Sequence, residues 1–464
     1  MSLLAVGHRA LTRWHALIGA IGLVILFIPI KRYEFADVSL PFDLEPYRIA
    51  VAGVVAVWLS SLLIDPRVTI RRSGFEGPLL LFGLAVLGSI LTNFDRITTL
   101  DLATNVTKEL LFLASFYLVL YFVVSVIRDP DAVHNVVRTL VLGTAVVALF
   151  AIVERRTNYN IFNQLQGVVP LLEFKGALGD EGIARAGRLR TYASAQHPIA
   201  LAGMFVMMVP LALYLAHYTR RWIWAVAAVL IGLGALATVS RTSITMLATV
   251  VVVFVWLRPR TVKRVLPLLL PLAVAVHLGL PGVIGGIRQA FFPPQGLIAD
   301  QTEYGGRISG RRLGPQFDAI GDQPAFGLGY GTRIVAQSPT GPRTNARILD
   351  NQWLGTTVET GLMGLFAWVW LYGRFLRRAG REARSDDSPR GWLLTAFASS
   401  IAAAAVGMFT YDMFSFIQAT FVLFLLVALG ASTLAYRGPW PAARGQQWGE
   451  GRVDTPQPLV PLER

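Results

Sequence analysis

The sequence predicts an all-α polytopic membrane protein with about 12 transmembrane helices and a large outer loop between helices 9 and 10. Hydrophobic residues make up 54% of the chain and charged residues 15%, against about 25% charged residues in soluble domains. Barrel strands would alternate polar and apolar residues, and no such pattern is seen. The apolar runs lie near residues 14–30, 49–64, 78–92, 110–127, 139–153, 198–216, 222–239, 242–257, 265–287, 352–372, 392–411 and 413–436.

The basic residues of the short loops predict the orientation, because arginine and lysine concentrate on the cytoplasmic side. With the amino terminus in the cytoplasm, the inside loops carry Arg67 to Arg72, Arg258 to Arg264, and six arginines between Tyr372 and Trp392. We therefore expect one transmembrane domain, residues 1–436, with both termini cytoplasmic. Residues 437–464 are rich in Gly, Pro and Gln and are predicted to be a disordered tail.

Residues 222–257 decide the topology, since they are nearly all apolar except for Ser240-Arg241-Thr242. As one helix they would extend about 54 Å, far more than the bilayer needs. We predict two helices joined by a tight turn, with Arg241 at the outer surface. This interpretation also keeps the basic cluster that follows in the cytoplasm.

Two long outer loops remain, at about 154–197 and about 288–350. We expect the second loop to form an outer cap with short helices of its own, because a structureless loop of that length is unusual. Long loops follow the charge rule only weakly, so their arginines need another explanation.

These arginines predict a binding site for a phosphate group on the outer face, because the planar guanidinium pairs bidentately with phosphate oxygens. Simple contacts with lipid phosphates or loop carboxylates are the alternative. We expect Arg190, Arg241 and at least one arginine of the second loop to converge on one outer cavity. The predicted pyrophosphate-binding residues are Arg188, Arg190, Arg241, Arg307, Arg311 and Arg312.

Glu359 is the only Asp, Glu, Lys or Arg residue within the apolar runs. A charge at membrane depth costs roughly 2.5–3.5 kcal/mol, which marks Glu359 as a functional candidate. Asp350 and Asn351 precede it at the start of the same run, followed by Gly361 and Gly364. Asp350 and Asn351 could instead only cap the helix, and Glu359 could form only a structural hydrogen bond. We predict Asp350, Glu359 and Arg241 as catalytic residues.

His197 is a further candidate, because it precedes Pro198 at a predicted outer helix end. The chain has no cysteine, which excludes disulfides, thiolate metal sites and a cysteine nucleophile. Since the histidines are also scattered, no metal site is predicted.

Four short motifs resemble the O-antigen ligase and O-antigen polymerase superfamily of bacterial membrane glycosyltransferases. The ligase signature is His, then Asn, Ser or Gln, nine residues, and Gly-x-x-Gly. The resemblance extends from about 185 to 435, and before that only the hydropathy agrees. The matching segments are Asp350-Asn351-x9-Gly361-x-x-Gly364, Ser240-Arg241, Arg190-Thr191 through His197-Pro198, and Pro324-x-x-Gly327-x-Gly329.

The resemblance implies glycan transfer on the periplasmic face of the bacterial inner membrane. The donor would be a glycan on undecaprenyl pyrophosphate, and the acceptor a sugar hydroxyl on a lipid-linked glycan or on lipid A core. Arginines would stabilise the leaving pyrophosphate, so no metal, nucleotide sugar or other cofactor is expected. Membrane lipids and a chain-length regulator are the other expected partners, and nucleic acid is not.

Asp350 stands where the ligase signature has histidine, and an aspartate of ordinary pKa about 3.9 is a weak base. This departure favours a polymerase of O-antigen, capsule or exopolysaccharide repeats, with an O-antigen ligase as the alternative. An anion or glycan transporter is the alternative of another class. Transporters place polar groups near the midplane in related halves, whereas here they concentrate in outer loops. A purely structural membrane protein would leave the clustered arginines unexplained.

Overall fold

The computed structural model describes residues 14–35, 45–176, 184–185, 188–260, 320–333, 350–438 and 440, and these are mainly helical. The predicted helix at 265–287, most of the 288–350 loop and the tail from 441 lie outside the described residues. The described α-helices are α1 (Trp14–Phe27), α2 (Pro46–Ile64), α3 (Glu76–Thr92), α4 (Phe94–Thr99), α5 (Ala103–Val126), α6 (Pro130–Thr157), α7 (Pro198–Thr219), α8 (Trp222–Ala237), α9 (Arg241–Leu257), α10 (Gln352–Ser385), α11 (Pro389–Gly407) and α12 (Ile417–Ala435).

Five of the described helices are long and apolar enough to cross a membrane: α2, α5, α6, α7 and α12. Helices α1, α3, α8 and α9 are apolar but shorter. Residues 222–257 divide into α8 and α9, and Arg241 begins the second helix, as the sequence predicts. The described residues therefore agree with an all-α membrane protein. The total of 12 spans and the division at residue 436 stay predictions.

The centre of the bundle is formed by α7 and α12, whose most apolar windows are 89% and 100% buried. Both helices are apolar on all sides, which is the pattern of a helix surrounded by protein. Seven other described helices pack against one or both of this pair: α1, α5, α6, α8, α9, α10 and α11.

Helix α10 extends further than the sequence indicates, and this corrects the predicted arginine loop between Tyr372 and Trp392. It continues to Ser385, so five of those six arginines lie on the helix. The reason is that Phe375, Ala379 and Ala383 recur every four residues and are all buried. An apolar stripe at this spacing keeps the chain helical against the bundle.

Two small antiparallel sheets add to the all-α prediction. Strand β1 (Tyr33–Phe35) pairs with β2 (Leu172–Phe174), and β3 (Ala184–Arg185) pairs with β4 (Arg188–Leu189). Segments this short carry no readable alternation, so the sequence does not reveal them. The first sheet ties the 158–197 loop, which also contains a 3-10 helix, to the turn after α1.

Hydrogen bonds between helix ends define the two ends of the bundle. At one end, Gln352 N donates to Met408 O (2.8 Å) and the Thr242 and Thr410 hydroxyls meet at 2.8 Å. This end, which gathers the starts of α9 and α10 and the α11–α12 connection, is called the site end below. At the opposite end, Arg258 binds the Asp386 carbonyl at 2.7 Å. The starts of α9 and α10 and the α11–α12 connection, all predicted to be outer, therefore share one end, and the described ends of α9 and α10 that were predicted to be cytoplasmic share the other.

Candidate functional site

The site begins with a break in α10 at Gly361. Its backbone has φ 67° and ψ −169°, a region open almost only to glycine. The break exposes backbone groups, which a loop of residues 323–333 satisfies. Leu362 N donates to Pro324 O and Leu328 N donates to Val358 O, both at 2.8 Å. The loop thus completes the hydrogen bonding that the helix lacks.

Glycines allow this close contact between loop and helix. A Cβ on Gly361 would lie 2.2 Å from the Ala325 carbonyl oxygen, and a Cβ on Gly327 would lie 2.5 Å from the Val358 oxygen. Both distances are far below van der Waals contact. The Pro-x-x-Gly-x-Gly and x9-Gly-x-x-Gly motifs therefore form one structural unit, although the sequence separates them.

The carboxyl end of α3 and the short helix α4 also hold this loop. Asn93 Nδ2 donates to Gly327 O at 2.9 Å, and the Arg96 guanidinium donates to Leu328 O. The Ser89 hydroxyl donates to the backbone oxygen of Glu359. The loop, the helix break and Glu359 are consequently fixed together.

This loop ends at Arg333, which lies between two carboxylates. Its Nη1 donates to Asp412 Oδ2 at 2.9 Å, and its Nε lies 3.6 Å from Glu359 Oε1. The side chains of Arg333, Asp412 and Glu359 are 7%, 4% and 14% exposed. Burial lowers the pKa of Arg333, but Asp412 and Glu359 raise it above its usual value. Arg333 therefore stays charged at any physiological pH.

A cavity of about 200 Å³ opens beside this ion cluster at the site end. Its charged lining comes from Lys31, Lys108, Glu109, Arg333 and Glu359. The other lining residues are Phe82, Asn105, Phe112, Tyr330, Gly331, Gln352, Thr356, Thr360, Phe414, Ser415 and Ile417. Charged groups of both signs beside aromatic surface suit a ligand that carries both a sugar and an anionic group.

The structure separates the roles of Asp350 and Asn351. Asn351 is the N-cap of α10, because its side chain accepts a hydrogen bond from Leu354 N at 3.1 Å. Asp350 precedes it with φ 50° and is not among the residues that line the described cavity. Glu359, in contrast, lines the cavity. Of the two predicted catalytic carboxylates, Glu359 is therefore the one that faces the described cavity.

Two predicted arginine segments meet at the site end. The buried Arg190 donates from Nε to Thr238 O at 3.1 Å, and Thr238 precedes Arg241 by one turn. Thr242, which follows Arg241, forms a hydrogen bond with Thr410. Thr410 lies two residues before Asp412, so Arg241 begins its helix close to the segment that carries Asp412. Convergence of the arginines on one cavity stays a prediction. Arg188 belongs to β4, whereas Arg307, Arg311 and Arg312 lie outside the described residues.

His197 also lies at the site end, where it is the N-cap of α7. Its Nδ1 accepts a hydrogen bond from Ile199 N at 3.2 Å, and its ring lies 5.8 Å from that of Phe416. These contacts give His197 a structural role, and a role in the reaction stays a prediction. Within the described segments, no group of three or more His, Asp or Glu residues could hold a metal.

Sequence reasoning missed Asp412, Glu109, Lys31 and Lys108 as site residues and gave Arg333 no special role. Asp412 falls in the one-residue gap between the apolar runs 392–411 and 413–436, and Glu109 directly precedes the run that begins at 110. Each is a lone carboxylate at the edge of an apolar run. A search for single carboxylates at the edges of apolar runs would therefore have found both residues from the sequence.

Fold and site together define a polytopic helical membrane protein with a buried ionic centre at one end of its bundle. The family model described as O-antigen ligase matches residues 226–369, which include Arg241, the 323–333 loop and Glu359. The match confirms the resemblance to the O-antigen ligase and polymerase superfamily and indicates that general type of function. A search of curated proteins finds no significant match.

Proposed function

We propose that this protein is a metal-independent glycosyltransferase of polysaccharide biosynthesis in the bacterial inner membrane. It transfers a glycan from undecaprenyl pyrophosphate to a sugar hydroxyl on the periplasmic face. The observation that supports this most is the position of Glu359. Its carboxylate lines a cavity to which residues 330–333 and the start of α10, both in the family-matched segment, contribute, and it lies beside Arg333.

Glu359 acts as the general base in this proposal. It accepts the proton of the acceptor hydroxyl while that oxygen attacks the anomeric carbon of the donor glycan. The new carbon–oxygen bond forms as the bond to the pyrophosphate breaks, and the electron pair leaves with the pyrophosphate. Arg333 donates a hydrogen bond of 2.9 Å to Asp412, whereas its distance to the Glu359 carboxylate is longer, at 3.6 Å. Asp412 therefore has the stronger interaction with Arg333. Glu359 is thereby oriented and keeps its capacity to accept a proton.

The cationic residues of the site end stabilise the negative charge that develops on the leaving pyrophosphate. Arg190 and Arg241 come from segments that meet there, and the lysines of the cavity add to them. In a low-dielectric site such charges act more strongly than in water. This role replaces the one that a divalent metal has in other phosphate-transferring sites.

Repeat-unit polymerisation is the preferred reaction, because Asp350 replaces the histidine of the ligase signature. Ligation to lipid A core is the alternative, which the description of the matched family favours. A chain-length regulator is a proposed partner in the polymerase case.

The test supplies purified protein with an undecaprenyl-pyrophosphate-linked repeat unit, either alone or with lipid A core. A ladder of longer lipid-linked glycans supports the polymerase, and single transfer to lipid A core supports the ligase. Movement of substrate across liposomes without either product supports a transporter and rejects the proposal.

A further inference from the structure

Two of the four lysines in the chain line the same cavity. Lysine is rare here, since only Lys31, Lys108, Lys175 and Lys263 occur among 42 basic residues. Lys31 follows α1 in a tight turn, and Lys108 lies in the first turns of α5. Both side chains remain solvent-accessible while they line the cavity, which places them at its mouth.

The backbone holds Lys31 in a strained conformation, with φ 65° in the left-handed region. Such strain persists only where the surroundings impose it. The next residue, Arg32, provides this restraint. Its guanidinium donates to Asn163 Oδ1 at 2.7 Å and to Ala195 O at 3.2 Å, and its carbonyl accepts from Lys175 N at 2.9 Å. The backbone of Lys31 is therefore restrained beside the cavity.

Helix α5 presents Lys108 on the face that lines the cavity. Asn105, Lys108, Glu109 and Phe112 all line the cavity and follow the i, i+3, i+4, i+7 spacing of one helix side. Lys108 therefore lies between an amide donor and an aromatic ring, one turn from each.

The charges around the two lysines leave an excess of positive charge. Desolvation within the protein lowers the pKa of Lys31, followed by repulsion from Lys108, while Glu45 and Glu109 act in the opposite direction. Arg48 also lowers this pKa, but Arg48 and Glu45 pair with each other at 3.8 Å, which leaves the two lysines with Glu109. Among the described residues, neither lysine forms an ion pair within 4.0 Å. Within the described part of the chain, Lys31 and Lys108 therefore have no close carboxylate partner of the kind that Arg333 has in Asp412.

We propose that Lys31 and Lys108 form a phosphate-binding subsite at the mouth of the cavity. An ammonium group is a compact point charge that binds a phosphate oxygen, and a phosphate between the two lysines would remove their repulsion. The diphosphate of the donor and the phosphate of a phospholipid headgroup share this chemistry. The assignment to the donor rests on the proposed function, with the donor's sugar then directed towards Glu359.

The first experiment measures binding of farnesyl diphosphate to the full-length protein in a neutral detergent, without acceptor. Lys31→Gln/Lys108→Gln should weaken binding about tenfold or more, because two charge-assisted contacts are lost. Arginine at both positions should keep most of the affinity. Lys175→Gln is the matched control, since Lys175 pairs with Glu34 at 3.4 Å and Glu173 at 3.1 Å outside the cavity.

A second arm measures binding of phosphatidylglycerol in nanodiscs to the same variants. Loss of farnesyl diphosphate affinity supports a subsite for the donor, and loss of phosphatidylglycerol binding alone supports a subsite for lipid headgroups. Unchanged affinity for both ligands overturns the proposal, as does an equal loss in Lys175→Gln. Because no acceptor is present, a wild-type protein that binds diphosphate but transfers no glycan would reject the proposed function and leave the subsite intact.

Discussion

Gly361→Ala should disable the site without touching a charged residue. Alanine at φ 67° and ψ −169° costs about 1–3 kcal/mol in backbone strain. Its Cβ would also lie 2.2 Å from Ala325 O and 2.5 Å from Phe326 N, so the loop has to move by about 1 Å. That loop carries Arg333, and a displacement of about 1 Å can reduce turnover about 10²-fold.

The measurements are glycan transfer and hydrogen exchange of the backbone amides of Leu328 and Leu362, which bridge the loop and the broken helix. A loss of 1–3 kcal/mol predicts roughly 5- to 150-fold faster exchange of both amides in Gly361→Ala. Gly373→Ala in the same helix is the control, because nothing lies within 4 Å of the added Cβ and alanine is the better helix former. Wild-type exchange and turnover in Gly361→Ala would refute the reasoning.

Three further predictions concern the charged groups. Glu359→Gln should reduce turnover by about 10²–10⁴-fold with donor binding intact. Asp350→Asn should reduce turnover less than tenfold, since asparagine tolerates a left-handed backbone. A larger loss of turnover in Asp350→Asn than in Glu359→Gln would make Asp350 the base. Arg333→Gln should lower the free energy of unfolding in detergent by about 3–5 kcal/mol, because it leaves buried carboxylates unpaired. The double variant Arg333→Gln/Asp412→Asn should recover part of this stability. If the two substitutions instead have additive effects on the free energy of unfolding, Arg333 and Asp412 are not coupled. Arg190→Lys should remove most activity in the transfer assay, because a point charge replaces the planar guanidinium, and should lower the melting temperature slightly through loss of the buried bond to Thr238 O. Wild-type turnover would argue against a phosphate role.

Local features of the site could be predicted from the sequence. The glycines, the two helices of residues 222–257 and the carboxylate at 359 all follow from residue type and spacing, and the structure shows the same helix boundary at Arg241. The extension of α10 was also readable from the spacing of Phe375 and Ala379.

The pairing of Arg333 with Asp412 could not be predicted, because the two residues are 79 positions apart and only helix packing brings them together. The same holds for Lys31 and Lys108, which come from different helix ends. Apolar patterns locate helices along the chain but give no information on which ends share a cavity. Asp412 lies in the connection between α11, which ends at Gly407, and α12, which begins at Ile417, so no helix pattern marks it as part of a site.

The most direct test of the central claim is the position of the bound donor. The measurement is a cryo-electron microscopy structure of Glu359→Gln with its undecaprenyl-pyrophosphate-linked glycan. We predict that the sugar–phosphate bond lies inside the cavity, with its anomeric carbon facing residue 359 and its phosphates near Lys31 and Lys108. Donor bound at the opposite end of the bundle, or outside the cavity and away from Arg333, would contradict the account.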